Sequence, residues 1–412
     1  MLRWSIIIIV YAVLAYYTFE LIKVATKSNW IAYVFLGISM LVMGNFVFHF
    51  LNGPKVGVLF SDPNNIAKVY SVGFFVALMV FQGIAFSFIF MDDVLRFISA
   101  SYQRYIGVSS QFSLSSRRRF LSVLGLGLAS IPFSVLLYGM YRGKYNYKVL
   151  RYELEFDDLP DSFDGYQVTQ ISDIHCGSFD NRDRIRYGVD LINQQKSDVI
   201  VFTGDMVNNT ADELIPWKSI FSELQAPDGK YSVLGNHDYG DYIPWESERL
   251  KSENLDTLLR YQKEMGFEPL LNESRYLSRG ADKIALVGVE NWGRGFKQVG
   301  DLEKASVHID RDDFKILMSH DPTHWEDRVL KSNTRYQLTL SGHTHGMQMG
   351  IEIPGWVKWS PIKRRYKHWA GIYGEQGEWI NVNRGFGYFA FPGRVGIWPE
   401  ITVITLKKRS LT

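Results

Sequence analysis

Five short clusters hold the residue types that could do chemistry: Asp173-Ile-His175, Gly204-Asp205, Gly235-Asn236-His237-Asp238, Ser319-His320 and Gly342-His343-Thr-His345. Each follows an apolar run. A lone Gly-Asp or Asp-x-His is an ordinary loop, but five such clusters in one order are a specific signal. Imidazole, carboxylate and amide oxygen together suit Mn, Fe or Zn better than Ca or Mg, which prefer oxygen shells. The spacing of Asp173 and His175, and of His343 and His345, would put both side chains of a pair on one face of a strand end. Seven candidate ligands exceed the roughly four of a structural zinc. Two ions sharing a bridging carboxylate fit that number better. The single cysteine, Cys176, excludes an internal disulfide and a cysteine-rich zinc site.

These clusters need a scaffold of strands. Residues 165–172, 197–203, 230–234, 283–289, 314–318, 336–340, 379–382 and 401–406 form short β-rich runs, several of them apolar throughout. Such runs are expected of strands covered on both faces. Between them, residues 182–195 and 246–265 have helical spacing. The alternation predicts an α/β layered domain whose ligands gather where strands end.

The first third of the chain is of another kind. Residues 4–25, 29–51, 69–91 and 120–141 are apolar stretches long enough to cross a bilayer, with Trp4, Trp30, Tyr70 and Tyr141 near their ends. Residues 1–150 carry a net +9 and residues 151–412 a net −7, so the overall +2 is a cancellation. No basic block is long enough for a nucleic-acid arm, and no nucleic-acid partner is expected. The predicted domains are a four-helix transmembrane region over 1–141, a linker and first strand over 142–160, and a catalytic domain over 161–412. Flanking charges balance: Lys23, Lys27, Arg96, Arg104 and Arg117 to Arg119 oppose Arg3, Lys55, Lys68, Arg142, Lys144, Lys148 and Arg151. Ser116-Arg117-Arg118-Arg119-Phe120-Leu121 is similar to a twin-arginine export signal and favours a bacterial inner-membrane protein with its C-terminal domain outside the cytoplasm.

The five blocks resemble those of the calcineurin-like metallophosphoesterase superfamily, which read D-x-H, G-D, G-N-H-D, H and G-H-x-H. Asn383-Arg384-Gly385-Phe386-Gly387 and Trp398-Pro399-Glu400-Ile401 resemble its membrane-associated, YkuE-like bacterial branch. The resemblance implies a four-layer α-β-β-α sandwich behind the transmembrane helices. It implies one metal on Asp173, His175, Asp205 and His345, and a second on Asp205, Asn236, His320 and His343. It further implies that a hydroxide bridging the metals attacks phosphorus, that His237 supplies or organises the leaving-group proton, and that Asp238 orients the His237 ring. His308, His324 and His368 belong to no block.

The expected activity is hydrolysis of phosphomonoesters or phosphodiesters on a small-molecule or lipid-linked substrate; no oligomeric state is implied. Residues 356–369 interleave Trp356, Trp359 and Trp369 with five basic residues, a pattern open to either a bilayer surface or a solvated loop. Two other readings remain at this stage. One is a cytoplasm-facing pyrophosphohydrolase of a nucleotide-activated lipid such as UDP-diacylglucosamine. The other is a non-enzymatic membrane receptor or transporter component.

Overall fold

The computed structural model describes residues 2–51, 66–106, 115–353 and 355–409. Lys55, one of the flanking charges above, lies outside them. The chain divides into two compact units at Tyr141 and Arg142.

The first unit holds four helices: α1 (Leu2–Thr26), α2 (Asn29–Leu51), α3 (Ile66–Ile106) and α4 (Ser115–Tyr141). All four are long and apolar enough to cross a membrane. Large side chains such as Trp30, Leu41 and Val123 point outward, as a helix bundle bathed in hydrocarbon requires. Inside, Tyr11 donates to the Ser39 carbonyl at 2.9 Å and Gln82 donates to the Ser39 hydroxyl at 2.9 Å, tying α1, α2 and α3 by hydrogen bonds. The third helix outruns its predicted span. Its 41 residues correspond to roughly 60 Å at 1.5 Å per residue, about twice the hydrocarbon thickness. Residues 91–106 contain neither Gly nor Pro to stop it. Within that extension Asp92 is buried and pairs with Arg96 at 2.8 Å and with Arg117 of α4 at 3.3 Å. Near the end of α1, Glu20 pairs with Lys23 at 3.2 Å.

The second unit is built on two six-stranded sheets. The first has the order β1 (Lys148–Phe156), β14 (Glu400–Lys408), β2 (Gln167–Ile171), β3 (Val199–Phe202), β4 (Lys230–Ser232) and β5 (Phe267–Pro269). The second has the order β12 (Gly371–Glu375), β13 (Glu378–Val382), β9 (Leu338–Ser341), β8 (Lys315–Met318), β7 (Asp282–Gly288) and β6 (Glu273–Arg279). A separate hairpin pairs β10 (Ile351–Ile353) with β11 (Val357–Trp359). Neighbours β2, β3 and β4 are parallel, as are β7, β8 and β9.

Period-two alternation makes the layers. Val199 and Val201 of β3 join Ile284 and Leu286 of β7 and Ile316 and Met318 of β8 in a core between the sheets. Ile200 and Phe202 point the other way, onto Ile185, Val189 and Ile192 of α5 (Arg182–Asn193) and onto Leu258 of the helix Glu248–Glu264. Val287 and Leu317 face outward from the second sheet onto Ala305 and Trp325. The result is an α/β sandwich of helices, sheet, sheet and helices. Residues 142–160 contribute β1, which pairs with β14 in register from Lys148 with Glu400 to Phe156 with Lys408.

Candidate functional site

The five clusters leave the C-terminal ends of adjacent parallel strands: β2, β3 and β4 in one sheet, β8 and β9 in the other. The loops then bond to one another. Asp173 N–H donates to Gly204 O at 2.9 Å, His175 N–H to Asp205 O at 3.1 Å, and Gly342 N–H to His320 O at 2.8 Å. His343 N–H donates to the Asp173 carboxylate at 3.0 Å, joining the two sheets at the site. Gly342 is needed there, because a Cβ would lie 1.9 Å from Ser172 Oγ.

The D-x-H and H-x-H pairs converge by turning, and not by strand alternation. β2 ends at Ile171 and β9 at Ser341, before either pair begins. Asp173, His175, Asp205, His343 and His345 all take left-handed φ, from 46° to 70°. Each such residue costs of order 1 kcal/mol and persists where the surroundings hold it, commonly at functional sites.

Asp205 sits at the centre. Its Oδ2 is 3.5 Å from His175 Nε2 and 3.2 Å from His320 Nε2. His345 Nε2 is 3.3 Å from Asp173 Oδ1, and His343 Nδ1 is 3.2 Å from His320 Nε2. Ligand atoms of Asp173, His175 and His345 lie within 4.8 Å of one another, as do those of Asp205, His320 and His343, and of His175, Asp205 and His237. Asn236 donates from Nδ2 to Tyr242 at 2.7 Å, while its Oδ1 is buried without a hydrogen-bond partner among the described residues. A lone pair left so is what a cation ligand needs. The residues present therefore fit two transition-metal ions sharing Asp205.

Electrostatics agree with that fit. Burial raises the Asp205 carboxyl, but His320, His237 and His175 outweigh it and hold it well below the usual carboxylate range. Asp173 is likewise raised by burial and then pulled below its usual range by His345 and His320. Burial would lower His320, yet Asp205 and Asp173 push it up to about 10. The pocket thus stabilises positive charge at its centre. Burial lowers His345 and the half-buried His237 to about 4, which keeps both rings neutral and able to offer a lone pair.

Asp238 does not orient His237. Its carboxylate accepts backbone N–H groups of Gly235 and Asp205 at 2.9 Å, Met206 at 2.8 Å and Val207 at 3.3 Å. The His237 ring is held instead by the Asn208 carbonyl, 2.8 Å from Nδ1. The physical reason is hydrogen bonding: the Asp238 carboxylate is taken up by backbone donors of its own loop and of the loop bearing Asp205.

Several supporting residues carried no motif. Asn208 bonds His175 Nδ1 through its side chain at 3.0 Å, and the Thr203 carbonyl bonds His320 Nδ1 at 2.7 Å. Tyr366 and Asp321 contact His343 Nε2 at 2.8 and 3.3 Å. Buried Arg394 lies 3.2 Å from His345 Nδ1 and donates to the Arg384 and Gly387 carbonyls. Phe389 stacks on His175 with ring centroids 4.7 Å apart. Asn208 follows Asp205 closely in the sequence, whereas no local signal marks Arg394. His324 and His368 are structural: they bond Ser319 and Glu326 at 2.8 Å.

Comparison with known proteins places this geometry. Residues 166–347 match the family described as calcineurin-like phosphoesterase, and residues 2–144 match one described as a probable calcineurin-like phosphoesterase, transmembrane domain. YkuE of Bacillus subtilis (strain 168), described as an uncharacterized metallophosphoesterase, is 31% identical over 303 residues, which span 71% of this chain and 98% of that protein. The chain belongs to the calcineurin-like phosphoesterase family. A Danio rerio relative, described as a transmembrane protein with metallophosphoesterase domain, is 29% identical over 286 residues, 68% of this chain and 62% of that one. An Aquifex aeolicus (strain VF5) relative, described as an uncharacterized metallophosphoesterase, is 27% identical over 282 residues, 67% of this chain and 98% of that one. This calcineurin-like phosphoesterase is an integral membrane protein, with its four helices inside the matched transmembrane domain.

Proposed function

We propose that the chain is a membrane-anchored phosphoesterase that hydrolyses phosphomonoesters or phosphodiesters with two transition-metal ions, Mn, Fe or Zn. The observation that carries this reading is Asp205 Oδ2 lying within 3.5 Å of both His175 Nε2 and His320 Nε2. Asp173, His175, Asp205 and His345 would hold one ion, and Asp205, Asn236, His320 and His343 the other. Bound there, the ions supply Lewis acidity toward a phosphoryl oxygen and lower the pKa of water.

The chain's own residues do the remainder. Asn208 and the Thr203 carbonyl fix the rings of His175 and His320 through their second nitrogens, so each presents Nε2 to the centre. His237 donates from Nδ1 to the Asn208 carbonyl, which leaves the Nε2 lone pair of the neutral ring to take a proton from water and pass it to the leaving-group oxygen. Phe389 and Tyr242 flank that ring at 4.6 and 4.5 Å and restrict water around it.

The test is a chelator-stripped full chain in detergent, assayed on p-nitrophenyl phosphate and bis-p-nitrophenyl phosphate with Mn, Fe or Zn restored in turn. Turnover is expected with at least one metal. Stoichiometric metal binding without any turnover would make the domain a binding module. The reading also puts the catalytic unit outside the cytoplasm, on the strength of Arg117 to Arg119 in the first turns of α4. A reporter fused after Lys408 should be active only outside the cell.

A further inference from the structure

The hairpin β10–β11 begins just beyond the last metal-ligand candidate and has two unlike faces. Its register pairs Ile351 with Trp359, Glu352 with Lys358 and Ile353 with Val357. Directly opposed residues of an antiparallel pair share a face. One face therefore holds Glu352 and Lys358, and the other Ile351, Ile353, Val357 and Trp359.

The charged face is tied to the domain, although Lys358 itself stays exposed. Glu352 pairs with Arg384 at 2.6 Å, and Lys358 donates to the Ala370 carbonyl and lies over the ring of Trp369. The apolar face is turned outward. Ile351 is 53% exposed, Trp359 50% and Trp356, at the tip, 79%. A secured hairpin that still shows so much apolar surface to water marks an interaction site.

Charge decides the partner. The outward face carries no acid. The turn Pro361–Arg364 that follows places Lys363 and Arg364 in solvent, with no ion pair for either among the described residues. Tryptophan beside unpaired cations is the composition of a surface that meets anionic lipid headgroups. A bilayer is also the partner at hand, since residues 142–147 alone join α4 to β1.

The same segment is bonded to the site. Ser360 Oγ donates to the Gly346 carbonyl at 2.7 Å, Thr344 Oγ1 to the Trp369 carbonyl at 2.7 Å, and Tyr366 OH lies 2.8 Å from His343 Nε2. We infer that the outward face of the hairpin docks in the headgroup region of an anionic bilayer, and that Lys363 and Arg364 there present a lipid-borne phosphate ester to the His343 side of the site. The docking stands on the hairpin alone; the lipid substrate rests on the phosphoesterase reading above.

The experiment uses the full chain in vesicles of phosphatidylcholine with and without phosphatidylglycerol. Ile353→Cys and, as a control, Lys263→Cys on the helix Glu248–Glu264 each carry an environment-sensitive dye; the native Cys176 is buried. Expected is a blue shift of the dye at position 353 and its quenching by brominated lipid, stronger with phosphatidylglycerol, with none at position 263. Lys363→Gln combined with Arg364→Gln should abolish the phosphatidylglycerol dependence. Equal quenching at both positions, or none at 353, would overturn the docking. So would a blue shift that persists in detergent and grows with protein concentration, which would make the face a contact between copies. Separately, Trp356→Ser should lower turnover of phosphatidic acid in these vesicles while p-nitrophenyl phosphate turnover is unchanged. Equal loss on both substrates would overturn lipid presentation. Failure of the wild type on both would overturn the phosphoesterase reading and leave the quenching result to stand.

Discussion

The carboxylate of Asp238 accepts the backbone N–H of Asp205 at 2.9 Å, so the acid beside His237 builds the loop that presents the central carboxylate. With Met206, Val207 and Gly235 it gathers four buried donors. Asp238→Ala should therefore lower stability by roughly 2 to 4 kcal/mol, because buried donors lose their acceptor. Metal content and turnover should fall together with Tm. Had Asp238 only oriented the His237 ring, rate alone would drop with Tm and metal content unchanged.

Asp205 meets both His175 and His320. Asp205→Asn should weaken both metals together, read as metal per chain by elemental analysis beside turnover of p-nitrophenyl phosphate. Full metal with full activity would remove Asp205 from its bridging place.

His237 touches the centre through its backbone, with its N–H donating to Asp205 Oδ1 at 2.9 Å, and this bond survives truncation of the ring. His237→Ala should keep both metals and cost roughly 10² to 10⁴ in rate, the usual range for losing a general acid or base. Loss of metal in this variant would assign the ring to ligation.

A pH effect is also expected at a residue outside the candidate metal site. Glu378 on β13 is buried, its Oε2 has no hydrogen-bond partner among the described residues, and burial pushes its carboxyl up to about 7 from 4.5. An acid raised by folding stabilises the protein fully below its unfolded value and loses that contribution as pH climbs through the folded one. Wild-type Tm should thus fall relative to Glu378→Gln between pH 4.5 and about 7. At higher pH the variant should be the more stable by roughly 1 to 3 kcal/mol. Calorimetry across pH checks both the sign and the window.

Gly387 backs the site, its N–H donating to Asp173 O at 2.9 Å, and a Cβ there would lie 1.8 Å from Ile174 O. Gly387→Ala must displace the loop bearing Asp173 and should cost about 3 kcal/mol or more. The same substitution at Gly165 meets nothing within 4 Å, although φ there is +85°. The milder loss expected at Gly165 separates crowding from left-handed backbone strain, with Tm as the readout.

Much of the fold was legible before any coordinates. Apolar runs of four to eight residues marked the central strands β3, β7, β8 and β9, because strands covered on both faces must be apolar throughout. Of the three-residue strands, β4 was legible within the run 230–234, whereas β5, β10 and β11 were not, since so short a run carries no period of its own. The extension of α3 was hidden by Asp92 and Asp93, which end an apolar stretch without ending a helix.

For the site, residue type and order singled out the five clusters, because imidazole, carboxylate and amide oxygen recurring after apolar strands have few other uses, and the family resemblance picked Asp173, His175, Asp205, Asn236, His320, His343 and His345 from them as ligands. Which nitrogen faces the centre, and what holds it there, was decided only by the tertiary structure. Thr203 and Asn208 reach the rings from the loop after β3, and Tyr366 and Arg394 from two others, and the left-handed turns that bring the pairs together are stable only inside that packing. Composition is local and can be read along a chain. The direction of a lone pair depends on contacts between residues far apart in sequence, which exist only once the two sheets have closed on each other.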